Sequence, residues 1–294
     1  LGNMMAFMQY AVQVIMLFLL LTLLFVILPR ANVSAKRINE VLETKSKIAW
    51  KEKTVGKPSL APSVEFEKVG FSYAKAEEKV LSNVSFTAKA GETTAFIGST
   101  GSGKSTLINL VPRFYEATEG KIRINGIDIQ DYAQEDLMRR IGYVPQKGIL
   151  FSGTVKSNIM FGAPEITEEQ MRKAAGIAQA EEFIEKLDKK YDAHIAQGGT
   201  NVSGGQKQRL SIARAIAKDP DIYIFDDSFS ALDMKTDAKL RKDLKPVTRE
   251  AVTLIVAQRI STIKDADQII VLNNGTVVGK GKHKELLRDC KVYR

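Results

Sequence analysis

A single cysteine, Cys290, and two histidines, His194 and His283, are all that 294 residues contain of the side chains that build disulfides and zinc sites. One cysteine excludes an intrachain disulfide and any cysteine-based metal cluster, which fits a reducing compartment. The histidines are too far apart for a zinc motif and read as surface residues. No internal repeat or low-complexity tract appears. Charge is also missing from one long stretch: "MMAFMQYAVQVIMLFLLLTLLFVIL", Met4 to Leu28, has no Asp, Glu, Lys or Arg. At about 1.5 Å per helical residue it is long enough to cross a hydrocarbon core of about 30 Å. A secretory signal would need a basic start, a shorter apolar core and a small-residue cleavage site, and none is present. Gln9 and Gln13 favour the inside of a helix bundle over lipid.

Hydrophobic content of 44% and charged content of 26% are ordinary for a globular protein and select no function. The formal charge of +9 could point to nucleic acid, but its placement argues otherwise. Arg30, Lys36, Arg37, Lys45, Lys47, Lys51, Lys53 and Lys57 face only Glu40, Glu43 and Glu52 in the same stretch. More than half the excess therefore lies beside the apolar run. That is the positive-inside pattern, which places everything after Leu28 in the cytoplasm. The same charges also serve as a solvated helix face. The chain begins at Leu1 rather than Met, and one span makes no bundle, so the sequence reads as the C-terminal piece of a longer, multi-pass membrane protein.

After the span (1–30), "SAKRINEVLE" places Ile38, Val41 and Leu42 at helical spacing, predicting a helix that continues into the cytoplasm. The polar "KEKTVGKPSLAPS", with Gly56, Pro58 and Pro62, marks a linker, so 31–62 is extension plus linker and 63–294 a separate domain. Within the domain, short apolar strands alternate with helical segments. "VEFEKVGFSY", "VLSNVSFTA", "TTAFIG", "IYIFDD" and "VTLIVAQ" read as strands, and "GKIRINGIDI" and "DQIIVLNNGTVVGKG" as hairpins, the latter turning at Asn273, Asn274 and Gly275. Helices are expected at "STLINLVPRF", "TEEQMRKAAGIAQAEEFIEKL", "GGQKQRLSIARAIAK" and "TDAKLRKDLKPV", the last interrupted by Pro246. This is an α/β domain with a mainly parallel core sheet, and about 132–202 reads as an inserted helical subdomain.

"GSTGSGKST", Gly98 to Thr106, fits G-x-x-x-x-G-K-[ST], with Gly98, Gly103, Lys104 and Ser105 at the defining positions. It follows a predicted strand and opens a predicted helix, as the motif requires. Its glycines let backbone N–H groups curl around phosphate oxygens at a helix N-terminus. Ser99, Thr100, Gly101, Ser102 and Thr106 complete the loop, Lys104 would reach the β- and γ-phosphates of ATP, and Ser105 would take one Mg²⁺ position. Asp226, at the end of an apolar strand, supplies the second Mg²⁺ partner. A buried carboxylate there would be costly without a cation.

"VSGGQKQRLSIARA", Val202 to Ala215, resembles the signature of ABC-transporter ATPases, normally L-S-G-G-Q, with Val202 replacing Leu. With the phosphate loop, Asp226 and "SALD" (Ser230 to Asp233), four ordered motifs match that family. The resemblance implies a P-loop NTPase fold with an antiparallel β-subdomain and a helical subdomain, preceded by the last membrane helix of an exporter half-transporter. It assigns Tyr73 in "FSYAK" to stacking on adenine and Gln146 in "YVPQKGILFSGTVKSNI" to contact with Mg²⁺ and the attacking water. It assigns Ser203, Gly204, Gly205 and Gln206 to a second anion-binding surface that closes on the nucleotide of another subunit. "LFSGTVKSNI" and the fused span are similar to exporters in particular.

At the catalytic centre two residues depart from the family pattern. Where the family usually has Glu as general base, this chain has Asp227, whose carboxylate ends about 1.5 Å short, the reach of one C–C bond. General-base catalysis contributes about 10²- to 10⁴-fold and needs hydrogen-bond contact, or one bridging water. Where the family has a histidine in "VAHR", this chain has "VAQR", and Gln258 can donate a hydrogen bond but cannot carry a proton. A weaker departure is Gln197, where many exporters have Glu. Intact binding motifs with an altered base and switch are the pattern of a degenerate-site subunit in a heterodimeric multidrug exporter, paired with an unlike half-transporter. A homodimer with two slow sites is the competing arrangement. A different class, an ATP-dependent dimerising clamp or regulator with little hydrolysis, fits the same residues. A soluble DNA-repair or translation ATPase does not fit the span, and no nucleic-acid partner is expected.

Overall fold

The computed structural model describes every residue except Lys45, Lys47, Ser59, Leu60, Lys75 and Glu77. Lys45 and Lys47 of the basic cluster, and Ser59 and Leu60 of the linker, therefore lie outside the described residues. The chain forms two compact units, Leu1–Ala49 and Trp50–Arg294.

The first unit is one helix, α1 (Gly2–Leu42), which runs through the uncharged stretch, Pro29 and the polar extension without a break. It is long and apolar enough to cross a membrane, and none of its side chains is buried within the chain. The hydroxyl of Thr22 donates to its own helix at Phe18 O (2.9 Å), which satisfies a polar group that would otherwise be costly in an apolar environment.

The second unit is built on a six-stranded sheet in the order β12-β11-β3-β10-β9-β6. Its strands are β3 (Thr93–Gly98), β6 (Ile141–Val144), β9 (Ile222–Asp226), β10 (Val252–Val256), β11 (Gln268–Asn273) and the antiparallel edge strand β12 (Thr276–Gly281). Every residue of β9 and β10 is buried, as expected of parallel strands covered on both faces. In register, Val256 of β10 lies between Asp226 of β9 and Phe96 of β3, so three strands end side by side at one edge. In open α/β sheets that carboxyl edge is where ligands bind.

An antiparallel sheet, β2-β1-β4-β5, packs over this core. It comprises β1 (Ser63–Phe71), β2 (Leu81–Lys89), β4 (Glu119–Ile124) and β5 (Ile127–Asp128), with Phe66 and Phe86 stacked across strands (4.6 Å) and Phe86 edge-on to Phe96 of the main sheet (5.3 Å). The β4–β5 hairpin turns at Asn125 and Gly126, both at positive φ (53° and 81°), the turn chemistry that an Asn-Gly pair favours.

The predicted helical insert differs in detail. It contains α3 (Gln134–Arg139), α4 (Val155–Ile159), α5 (Glu168–Ile177) and α6 (Glu181–Ile184), plus a small ribbon of β7 (Gly153–Thr154) with β8 (His194–Ile195). However, β6, inside the same stretch, pairs with β9 and belongs to the main sheet. One continuous helix was expected from Thr167 to Leu187, but it breaks at Gln179 (φ 57°), whose side-chain amide donates to Gly176 O (3.1 Å) and Ile177 O (3.2 Å), closing off α5. The remaining helices are α2 (Lys104–Leu110), α7 (Gly204–Ala217), α8 (Met234–Val247), α9 (Ile260–Ile263) and α10 (His283–Asp289). Pro246 sits in the last turn of α8 instead of interrupting it.

Candidate nucleotide site

The loop between β3 and α2 is shaped by glycine. A Cβ on Gly98 would lie 2.1 Å from Leu272 O, so only glycine lets the loop pass the neighbouring strand. Gly103, the N-cap of α2, has φ 95° and would carry a Cβ 2.7 Å from Leu81 Cδ2. The loop's lysine, Lys104, folds back to donate to Gly98 O (2.8 Å) and Ser99 O (2.7 Å). Burial lowers its pKa, opposed by the carboxylates of Asp227 and Asp226.

Ser105 donates to Asp226 Oδ1 (3.1 Å), joining the start of α2 to the end of β9. Burial raises the pKa of Asp226; the Ser105 bond opposes this and the Asp227 charge adds to it. Tyr143 of β6 was not among the predicted site residues. Its hydroxyl donates to Asn109 Oδ1 (2.9 Å) and lies against Asp226, and burial together with that carboxylate raises its pKa far above the ordinary value. A strand "IGYVP" gives no sign of this, because the contact depends on β6 lying beside β9.

Asp227 is 8% exposed and sits at φ 47°, so its side chain turns away from the line of β9. Its Oδ2 accepts two hydrogen bonds, from Gln258 Nε2 (3.0 Å) and from Gln146 Nε2 (3.2 Å). Three predicted catalytic residues thus meet at one oxygen. A cleft of about 260 Å³ lies over them, lined by loop residues Thr100, Gly101 and Gly103 to Thr106 and by Gln146, Asp226, Asp227 and Gln258. Tyr73 bonds to Thr106 through their hydroxyls (3.0 Å) and packs edge-on against Tyr115 (5.2 Å).

Ser203, Gly204, Gly205 and Gln206 do not line this cleft. Ser203 is the N-cap of α7, accepting from Gln206 N (3.3 Å), while Gln206 Oε1 accepts from Ser203 N (2.8 Å), a reciprocal capping box. Gln208, one turn on, is buried and donates to Pro145 O (3.0 Å), the residue before Gln146. Gly148 has room for no Cβ, which would lie 2.7 Å from Lys207 C. Neither contact was expected from sequence.

The donor chemistry fits a magnesium nucleotide. The glycine-shaped loop offers backbone N–H groups and Lys104 to phosphate oxygens, and the Ser105 hydroxyl with the Asp226 carboxylate makes a pair of hard oxygen donors of the kind Mg²⁺ takes while keeping several waters. Among the described residues no group of three or more His, Cys, Asp or Glu forms a denser metal cluster.

A sheet ending in a phosphate loop, a buried aspartate and a capped second glycine pair defines a nucleotide-binding ATPase domain. Residues 81–230 match the ABC transporter family model, and the chain belongs to that family. It is 44% identical over 296 residues to a Mycobacterium tuberculosis protein named an uncharacterized ABC transporter ATP-binding protein, covering 99% of this chain and 50% of that one. Bacillus subtilis YfiB, named in the same terms, is 43% identical over 293 residues, again 100% of this chain and 50% of the relative. The chain therefore spans about half the length of the curated relatives it matches. Among solved structures, that of a bacterial Atm1-family ABC exporter with ATP bound superposes with a TM-score of 0.84 at 34% identity, covering 90% of this chain and 46% of that one.

Proposed function

We propose that the chain is the ATP-binding part of an exporter subunit, which couples MgATP binding, dimerisation and hydrolysis to substrate export across the cell membrane. The likeness to an ATP-bound exporter supports this, as does a Staphylococcus aureus relative, 44% identical over 230 residues, whose name provisionally assigns it to multidrug export. In this reading α1 is the last span of a multi-pass membrane domain, 31–62 links it to the cytoplasmic ATPase domain, and 63–294 is that domain.

Lys104 and the backbone of Gly98 to Thr106 hold phosphate, Tyr73 stacks on the base, and Ser105 and Asp226, with Gln146, hold Mg²⁺. The ion would neutralise phosphate charge as it develops. Ser203 to Gln206, outside this cleft, serve the nucleotide of a second half-transporter.

The chain's own site is proposed to be slow. The observation that carries this is the crowded Asp227 Oδ2. A carboxylate oxygen has about two lone-pair sites, and both are taken here by amides that cannot relay a proton. Little capacity remains on that oxygen for an attacking water. The subunit then depends on an unlike partner carrying Glu and His, and its intact signature completes that partner's site. Steady-state ATP hydrolysis by the full-length protein, alone and with its genetic neighbour, tests this. Slow turnover alone and fast turnover in the pair is expected. Fast turnover alone that disappears in Asp227→Asn overturns the degenerate-site reading. ATP-dependent dimerisation with no turnover in any combination would favour a clamp instead.

A further inference from the structure

Gln258 leaves β10 on a short segment that runs directly into α9, a helix of one turn. Such a helix has little cohesion of its own, yet Gln258 must be held within hydrogen-bond reach of Asp227. The tie comes from α8, the helix that begins after Asp233. Arg241 Nη1 donates to the carbonyls of Thr262 (3.1 Å) and Ser261 (3.3 Å), which are carbonyls of the last turn of α9. A cation at that position satisfies helix-end acceptors and suits the dipole. The same guanidinium is fixed from its own helix. Arg241 Nη2 donates to Asp237 Oδ2 (3.0 Å), and Arg241 Nε lies 3.0 Å from Asp237 Oδ1. Asp237 is half-buried, and burial pushes its pKa up, against the charges of Arg241 and Arg259. Arg259 is the residue next to Gln258. One carboxylate thus bonds to the arginine that holds α9 and also feels the charge of the arginine beside the switch residue.

We propose that Arg241 is a positioning residue for Gln258. Anchored by Asp237, it fixes α9 and so sets where the Gln258 amide meets Asp227, tying the helix after Asp233 to the switch segment. The inference rests on the functional reading above, in which Gln258 acts at the nucleotide.

The test is a double-mutant cycle in the full-length protein, purified with whatever subunit accompanies it. MgATP affinity, hydrolysis rate and backbone amide exchange are measured for Arg241→Ala, Gln258→Ala and the double variant. Arg241→Ala is expected to move the rate in the same direction as Gln258→Ala and to within about twofold of it, since both release the amide from Asp227, and to leave MgATP affinity within about twofold. It should speed exchange across 257–264 but not across Ile222–Asp226. In the double variant, the arginine change should cost no more than Gln258→Ala alone, because residues acting through one contact are not additive. Asp237→Asn, which keeps side-chain shape, should shift the same readouts in the same direction and guards against misfolding of the alanine variant. Additive effects on the rate, or unchanged exchange across 257–264 in both Arg241→Ala and Asp237→Asn, would overturn the inference. Failure of the wild-type protein to bind MgATP would overturn the functional reading itself.

Discussion

Adjacent strands of one sheet deliver the site, but they build their ends differently. The end of β3 is made by backbone: Gly98 passes Leu272 O where no Cβ fits, Gly103 turns the chain into α2, and the lysine's bonds go to the loop's own carbonyls. The ends of β9 and β10 are made by side chains, with Ser105 on Asp226 and with Gln146 and Gln258 on Asp227. A backbone-built cradle tolerates change around it as long as its glycines stay. A side-chain cluster changes its chemistry with each member while the fold beneath it stands. Binding and turnover can therefore diverge within one cleft.

The largest effect should come from breaking the cradle's charge. Lys104→Ala removes charge-assisted bonds worth about 1.5–3 kcal/mol each, so MgATP affinity by calorimetry should fall at least about tenfold, with the melting temperature little changed. The side-chain end should respond in the opposite way. Asp227→Glu with Gln258→His is expected to raise hydrolysis about 10²-fold, within the usual range for general-base catalysis, while MgATP affinity stays within a few-fold. A rise in affinity without a rise in rate would erase the contrast between the two ends.

A smaller effect concerns Asp226. Its folded pKa is raised by burial, so between the unfolded and folded values the folded protein holds the extra proton. In the absence of divalent cations, stability should then fall as pH rises through that window and level off above it. Asp226→Asn should flatten this part of a thermal-melt pH series. Ser203→Ala should cost about 1 kcal/mol through loss of the α7 N-cap, read as a lower denaturant midpoint, with the chain's own MgATP affinity unchanged. Of similar size is Tyr143→Phe, which removes the hydroxyl's bond to Asn109 and its contact with Asp226 and should cost about 0.5–1.5 kcal/mol, read as a lower denaturant midpoint.

The same contrast explains what was legible beforehand. The phosphate loop is contiguous, and its glycine spacing is dictated by backbone shape, so Gly98 to Thr106 could be read as one object. The strands Ile222–Asp226 and Val252–Val256 were visible as unbroken apolar runs because both faces are buried. The antiparallel sheet came only through family resemblance. What could not be read were contacts made across the sheet. Tyr143 reaches Asp226 because β6 lies beside β9, and β6 itself was hidden within a stretch expected to be helical. The break at Gln179 depends on a left-handed residue that also donates to Asp243 on α8 (2.8 Å), a tertiary contact no helical periodicity encodes. The meeting of Gln146 and Gln258 on one oxygen joins residues far apart in sequence, and their separate resemblance to family motifs gave no hint that both would bond to Asp227.

Gln208 gives the molecule an internal joint. Its side chain, 1% exposed, pins α7 to Pro145 O, and close by the backbones of Gly148 and Lys207 touch with no space for a side chain between them. Sliding α7 along its axis would strip that buried carbonyl of its donor and drive two backbones together. The helix that opens at Ser203 and the segment that carries Gln146 therefore share one buried joint.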